Sequence, residues 1–247
     1  MPRRFGTRRA LIGGKQQTFA QYLASIPGAL SVWSVNDALG SSTMLAAPNT
    51  AYNGSYTGVT LGQASGNEAL GTAGLWDGVN DKGELYTATL AGTFNGAEGT
   101  VLGFVKMSGA GVWADGVQRW ICFLQADANN YVRISKATGA NTFVFFYNAA
   151  GTGELQIPTL SLTDWFMVDM TWSASGDVVT YGINGAASGS DDTGLGTWAG
   201  ALASSSTQLG GLNAAGVHDG YLSHWAVYSR ALTRAERLAI AQKAGVA

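Results

Sequence analysis

Residues 220–245 read GYLSHWAVYSRALTRAERLAIAQKAG. Tyr221 to Tyr228 alternates as a strand with side chains for two faces. Strict alternation puts Tyr221, Trp225 and Val227 on one face and Leu222, Ala226 and Tyr228 on the other. A short helix follows at once. Thr233 and Glu236 form an S/T-x-x-E capping box, in which each side chain satisfies one unpaired backbone donor of the first turn. Gly245 stands where a left-handed residue would stop that helix. The segment predicts a strand that runs straight into a helix over 234–243.

The rest of the chain is written in the same idiom. Only 12% of its 247 residues are charged, about half the usual share, and it holds 35 Gly against 4 Pro. With 8 Trp, 9 Tyr and 9 Phe, this composition suits many short strands joined by tight turns. The 46% apolar fraction excludes a disordered chain. A single β domain of this length is common, and it should bury roughly 70–75% of its unfolded surface.

Working backwards, Thr18-Phe-Ala-Gln21 repeats the capping-box pattern and opens a short helix that Pro27 and Gly28 end. Ala29 to Asp37 alternates as a strand, with Leu30, Val32 and Ser34 opposite Trp33 and Val35. Tyr56–Leu61 and Leu75–Tyr86 carry further strand signals. Strand candidates then recur at 99–107, 118–125, 130–136, 142–147, 165–172, 177–183 and 207–212. The Asn184-Gly185 pair after Ile183 is a strong type I′ hairpin signal. About eleven strands with a helix at each end, and no βαβ rhythm, predict an all-β, two-sheet antiparallel sandwich.

The run Val227–Glu236 closely resembles the closing segment of laminin-G-like, or concanavalin A-like, jelly-roll domains. The aromatic-x-Gly turn of Trp76-Asp-Gly78, ahead of a strand, is similar to the same family. The resemblance covers residues 20 to 245. It implies a jelly-roll domain over 18–247, preceded by an extended arm over 1–17.

Catalytic chemistry finds little purchase in the sequence. A retaining glycosidase needs two carboxyl groups about 5–5.5 Å apart, which a strand supplies at alternate positions. Glu68, Glu84, Glu98 and Glu154 are solitary, while Asp164 and Asp169 are spaced for opposite faces. No G-x-S-x-G elbow or G-K-[ST] phosphate loop is present. His224 reads as a packed or surface histidine, and His218-Asp219 as a turn. The lone Cys122 lies in an apolar run and reads as a small buried hydrophobe. The expectation is a protein without enzymatic activity.

Binding has more candidates. The resemblance implies a structural calcium ion, for which Asp77, Asn80 and Asp81 form one oxygen-rich turn, although a solvated turn explains the same cluster. Ser190–Thr193 forms a second such loop. Trp113, beside Asp115, and Trp198 stand in Gly-rich loops, where a ring can stack on a sugar or pack on a partner protein. Trp33, Trp165, Trp172 and Trp225 sit in strand patterns and read as core.

Charge is distributed unevenly. Arg3, Arg4, Arg8, Arg9 and Lys15 make the first fifteen residues +5, which leaves the remainder at −7. Such an arm is expected to dock on something negative, with Phe5, Leu11 and Ile12 as apolar anchors. An acidic body argues against nucleic acid as the partner. Only Ala10–Gly14 follows the Arg pair, which is too short for the apolar region of a secretory signal, and no run suffices to span a membrane.

A jelly roll with few charges, no disulfide and a basic arm resembles bacteriophage virion proteins of the fibre, tail-accessory or capsid-surface kind. That resemblance implies a homo-oligomeric structural or adhesion component made in the host cytoplasm. Its partners would be other virion proteins and a host-surface glycan. The alternative is a secreted carbohydrate-binding or glycoside-hydrolase-like domain.

Overall fold

The computed structural model of the protein describes residues 17–150, 160–188, 193–212 and 216–247, together with the backbone of 152–157. The arm residues Arg3, Arg4, Phe5, Arg8, Arg9, Leu11, Ile12 and Lys15, and most of the 190–193 loop, lie outside the described residues.

In chain order the strands begin with β1 (Ala29–Trp33), β2 (Thr43–Met44), β3 (Ala46–Ala47), β4 (Gly54–Thr57), β5 (Thr60–Ala64) and β6 (Thr72–Asp77). They continue as β7 (Lys82–Glu84), β8 (Glu98–Met107), β9 (Arg119–Asp127), β10 (Asn130–Lys136), β11 (Phe143–Ala149) and β12 (Thr152–Ile157). The last are β13 (Phe166–Ser173), β14 (Val178–Ile183), β15 (Ala186–Ala187), β16 (Thr207–Leu209) and β17 (Asp219–Tyr228). Three α-helices accompany them: α1 (Phe19–Ser25), α2 (Ala88–Thr93) and α3 (Arg234–Lys243).

Among the described residues, nine strands form one sheet, ordered β15-β14-β13-β8-β17-β1-β3, with β6 on β17 and β5 on β6. Eight form the other, ordered β12-β11-β10-β9-β16-β7-β4-β2. The strand pairs within each sheet are antiparallel, and the architecture is the expected jelly-roll sandwich. One apolar core lies between the sheets, around Trp33, Trp76, Trp172 and Trp225. A second lies between the nine-stranded sheet and the helices α1 and α3, around Phe19, Leu23, Phe104, Tyr228 and Ile240. That second core is why β8 and β17 are buried on both faces.

Strand β17 departs from the alternation its sequence suggests. His224 takes a left-handed φ of 42°, and the pairing with β8 slips between Ser223 and Ala226. A one-residue bulge reverses which face later side chains meet. Leu222 therefore joins Trp225 and Val227 in the inter-sheet core, while Tyr221 joins Ala226 and Tyr228 on the helix side. At the same point β17 exchanges partners, pairing with β6 before the bulge and with β1 after it.

Two other stretches differ from expectation. Residues 56–61 are not one strand, because Gly58, at φ 80°, turns the chain from β4 in one sheet to β5 in the other. His218 is not in a solvated turn: it is fully buried, and Asp219 already belongs to β17.

Both capping boxes form as written. Thr18 and Gln21 cap α1, and Thr233 and Glu236 cap α3. Helix α3 ends in a Schellman motif, with Val246 N–H on the Ala241 carbonyl and Gly245 N–H on that of Gln242, Gly245 having φ 70°. Asn184 and Gly185, at φ 54° and 72°, make the two-residue turn between β14 and β15.

Helix α3 is fixed to the sheet by a buried ion pair, Arg237 to Asp169, with side chains 5% and 0% exposed. Removing one member of such a pair strands the other charge away from water. Arg237→Ala should therefore lower stability by about 3–5 kcal/mol. Arg237→Met combined with Asp169→Leu should recover most of the loss. Urea denaturation midpoints measure both effects, and an unchanged midpoint for the single variant would contradict this account.

Candidate functional site

Of the residues singled out in the sequence, Trp113 is part of the core. Trp113 is 1% exposed. It packs against Phe143 and Phe166 and donates its indole N–H to the Leu162 carbonyl at 2.9 Å. It cannot stack on a sugar. Trp198 is half-buried, lies flat over Gly96, packs on Phe94 and Tyr147, and donates to the Gly200 carbonyl. The two indoles meet β11 at opposite ends, so they form no joint face. Gly-rich flanks suggested loops, but a glycine also lets a large ring approach the backbone closely.

Asp115 is the hub of a charged cluster. It accepts from Lys136 Nζ, Arg119 Nη2 and the Val117 N–H. Arg119 in turn donates to the carbonyls of Gly78 and Val217, tying three loops together. Burial alone would raise the Asp115 carboxyl, but hydrogen bonds from Lys136 and Arg119 outweigh it and hold the group at about 2.

Within the 77–81 turn the two carboxylates accept from the turn's own backbone. Asp81 accepts the Asp77 N–H, and Asp77 accepts the Val79 N–H. Asp81 is 3% exposed, and burial together with the nearby Asp77 pushes its carboxyl up. In this turn the Asp77 and Asp81 carboxylates of the calcium expectation are engaged by the turn's own backbone N–H groups. Among the described residues, no group of three or more His, Cys, Asp or Glu side chains is placed to hold a metal. Cys122 is buried, and that burial pushes its thiol well up.

The site that stands out lies on the outer face of the eight-stranded sheet. Strands β9, β10 and β11 turn Ile121, Cys122, Leu124, Val132, Ile134, Phe143, Phe145 and Tyr147 inward. Their alternate positions carry a second apolar set outward. In register across the sheet lie Ser55, Glu84, Gln208, Phe123, Arg133 and Phe146. Tyr131 stacks on Phe146 at 5.2 Å and 9°, and meets Phe123 at 5.5 Å. Trp120 meets Phe123 edge-on at 5.3 Å. The Arg133 guanidinium lies 5.3 Å from the Trp120 ring and 5.0 Å from that of Phe146.

Trp120 reaches this face because the β9–β10 pairing slips between Cys122 and Trp120, so that Ile121 and Cys122 both turn inward and Trp120 turns out. Trp120, Tyr131, Arg133 and Phe146 are half-buried. Gln125 and Asn148, the register partners of Tyr131, add amide groups beside the rings. At the other flank Gln208 donates to Glu84 at 3.1 Å, while burial pushes the Glu84 carboxyl up. The stacked pair of Tyr131 and Phe146, with the Gln125 and Asn148 amides beside it, can stack on one face of a ring-shaped ligand and hydrogen-bond its rim.

Sequence reading missed this band. Its signal is that Trp120–Leu124 and Phe143–Tyr147 are apolar at consecutive positions, hence on both faces. Among the described residues, α1 and α3 both lie on the other sheet and leave this second face to its own side chains.

Asp115 gives a test of its structural assignment. Its carboxyl sits below the ordinary 3.8, so its contribution is complete above about pH 4 and is lost as the pH falls toward 2. The melting temperature of Asp115→Asn should be lower at neutral pH and should fall less steeply between those limits. Equal slopes for variant and parent would contradict the assignment.

No family model matches the sequence, and no curated protein matches it. Solved structures match the fold. A Trypanosoma rangeli sialidase, solved with the inhibitor DANA, is 14% identical at a TM-score of 0.65, over 90% of this chain and 36% of that one. The receptor-binding domain of the botulinum neurotoxin C/D mosaic serotype is 12% identical at 0.65, over 87% and 51%. Domain 4 of an extracellular arabinanase from Geobacillus stearothermophilus, in complex with arabinotriose, is 16% identical at 0.60, over 87% and 98%. The chain thus spans between a third and a half of the sialidase and toxin chains, and nearly all of the arabinanase domain. At 11–16% identity these likenesses are likenesses of fold, and the chain is similar to single β-sandwich domains found within larger proteins.

Proposed function

We propose that the protein is a non-catalytic glycan-binding module that holds saccharides on the outer face of its eight-stranded sheet. The observation that carries this reading is the band of half-buried Trp120, Tyr131, Arg133 and Phe146, seated on buried Phe123 on the outer face of the sheet. Aromatic faces suit the C–H faces of sugars, and neighbouring amides suit their hydroxyls. The arabinanase domain solved with arabinotriose and the sialidase solved with sialic acid supply the first ligands to try.

The acidic groups support binding over hydrolysis. Glu84 is engaged by Gln208, Asp115 by Lys136 and Arg119, and Asp169 by Arg237. The sialidase's own activity belongs to a chain of which this one spans about a third.

A glycan array followed by titration calorimetry tests the reading. By analogy with base stacking, each ring should contribute about 1–3 kcal/mol. Trp120→Ala, Tyr131→Ala and Phe146→Ala should thus each weaken binding by about fivefold or more. An array without binders, or variants that bind as the parent does, would reject it.

Attachment to a larger particle such as a virion is the second part of the proposal. It rests on the +5 charge of residues 1–15 against a −7 remainder, and on the planar Arg fork that suits carboxylates. None of the neighbours described above is a virion protein, so the structural likenesses add nothing to this part. Deleting residues 2–15 should leave the melting temperature nearly unchanged but sharply reduce incorporation, as read by mass spectrometry of purified particles. Normal incorporation of the shortened chain would reject it.

A further inference from the structure

A large cleft lies on the other side of the sandwich from the aromatic band. It is a cleft of about 1010 Å³ between the start of α1, the end of α3 and the 67–71 turn. That volume is at the top of the range usual for small-molecule sites. Its walls are well fixed. Asn67 caps the Ala69 and Leu70 N–H groups and donates to the Ala244 carbonyl. Thr18 and Gln21 lock the first turn of α1.

His224 lines this cleft although its side chain belongs to a residue only 2% exposed. Its Nδ1 pairs with Ser223 Oγ at 2.8 Å, and its ring meets Phe19 edge-on at 5.1 Å. No partner among the described residues engages Nε2. The backbone here is also unusual. His224 has φ 42° and Val35 has φ 57°, and the His224 N–H bonds the carbonyl of Ser34, the residue next to Val35. A left-handed β-branched residue is a costly conformation that the surroundings must impose. Both strained residues lie at the cleft, one as its lining and one between the lining residues Ser34 and Asn36.

The polar lining is mostly uncharged: Gln17, Ser34, Asn36, Gln242 and His224, the last being neutral because burial pushes it down to about 4. The two charges oppose each other, Glu68 against Lys243, and the Lys243 ammonium already lies 4.9 Å from the Tyr22 ring. Neither an anion nor a cation finds a concentrated counter-charge. What the lining offers is neutral donors and acceptors beside the small apolar surfaces of Ala20 and Ala69.

We propose that this cleft is a second ligand site, taking an uncharged, hydroxyl-rich saccharide unit with His224 Nε2 as its central hydrogen-bonding contact. The site goes beyond the aromatic band and does not depend on it.

The chain has only two histidines, so His224 can be followed by NMR in the full-length protein, with buried His218 as the internal control. The probes are glucose, galactose and arabinose at millimolar concentration. At least one should move the His224 imidazole signals saturably and leave those of His218 in place. The response should persist in Trp120→Ala, which removes a ring of the band, and should weaken at least fivefold in Asn36→Ala and in Glu68→Ala. These rim variants keep the test open should His224→Phe fail to fold at its strained backbone. No saturable shift with any of the three sugars would overturn the proposal, as would a shift unchanged in both rim variants or lost in Trp120→Ala. If deleting residues 2–15 moves the His224 signals and sugars do not, the cleft belongs to the arm and the proposal also falls.

Discussion

The two sheets are covered unequally, and most of the molecule's character follows from that. The nine-stranded sheet is apolar on both faces along β8 and β17, so water must be kept from its outer side as well as its inner one. Helices α1 and α3 do this, and they are anchored at their ends. Two reciprocal caps set where the helices begin, a Schellman motif sets where α3 stops, and Arg237 on Asp169 sets its seat. Among the described residues no helix lies on the outer side of the eight-stranded sheet, and its outward aromatic side chains pack sideways on one another instead.

The charged residues follow the same economy. With so few charges in the chain, several are drawn below the surface, and each buried one has its partner. Lys136 and Arg119 converge on Asp115, binding the 77–81, 115–119 and 217–219 segments into one corner. Buried pairs of this kind add less net stability than their distances suggest, but they penalise any arrangement that separates them. Their effect is to define which loops meet.

What was legible in the sequence was local. The capping boxes, the Asn-Gly hairpin and the strand spacing depend on neighbours within a few residues, and they appear where the sequence places them. Helix α2 escaped notice because Thr87 caps the Leu90 N–H without the reciprocal Glu or Gln three residues on, and the helix is only six residues long. The bulges were not legible. Alternation has no mark for a residue that drops out of phase, so Tyr221 and Leu222 exchanged faces at His224, and Trp120 turned outward beside Ile121. The enclosure of Trp113 was not legible either. Trp113 and Asp115 look like an exposed pair when read along the chain, yet Phe143, Leu162, Lys136 and Arg119, which enclose them, arrive from elsewhere.

Gln17 and Thr18 line the same cleft as Ala244 and Gly245. The first and last described segments of the sandwich therefore meet at a single rim, on the outer side of the nine-stranded sheet. A domain wired in this way is portable. It can be carried in a loop of a larger chain, or recut and rejoined across the rim, without either sheet changing its strand order.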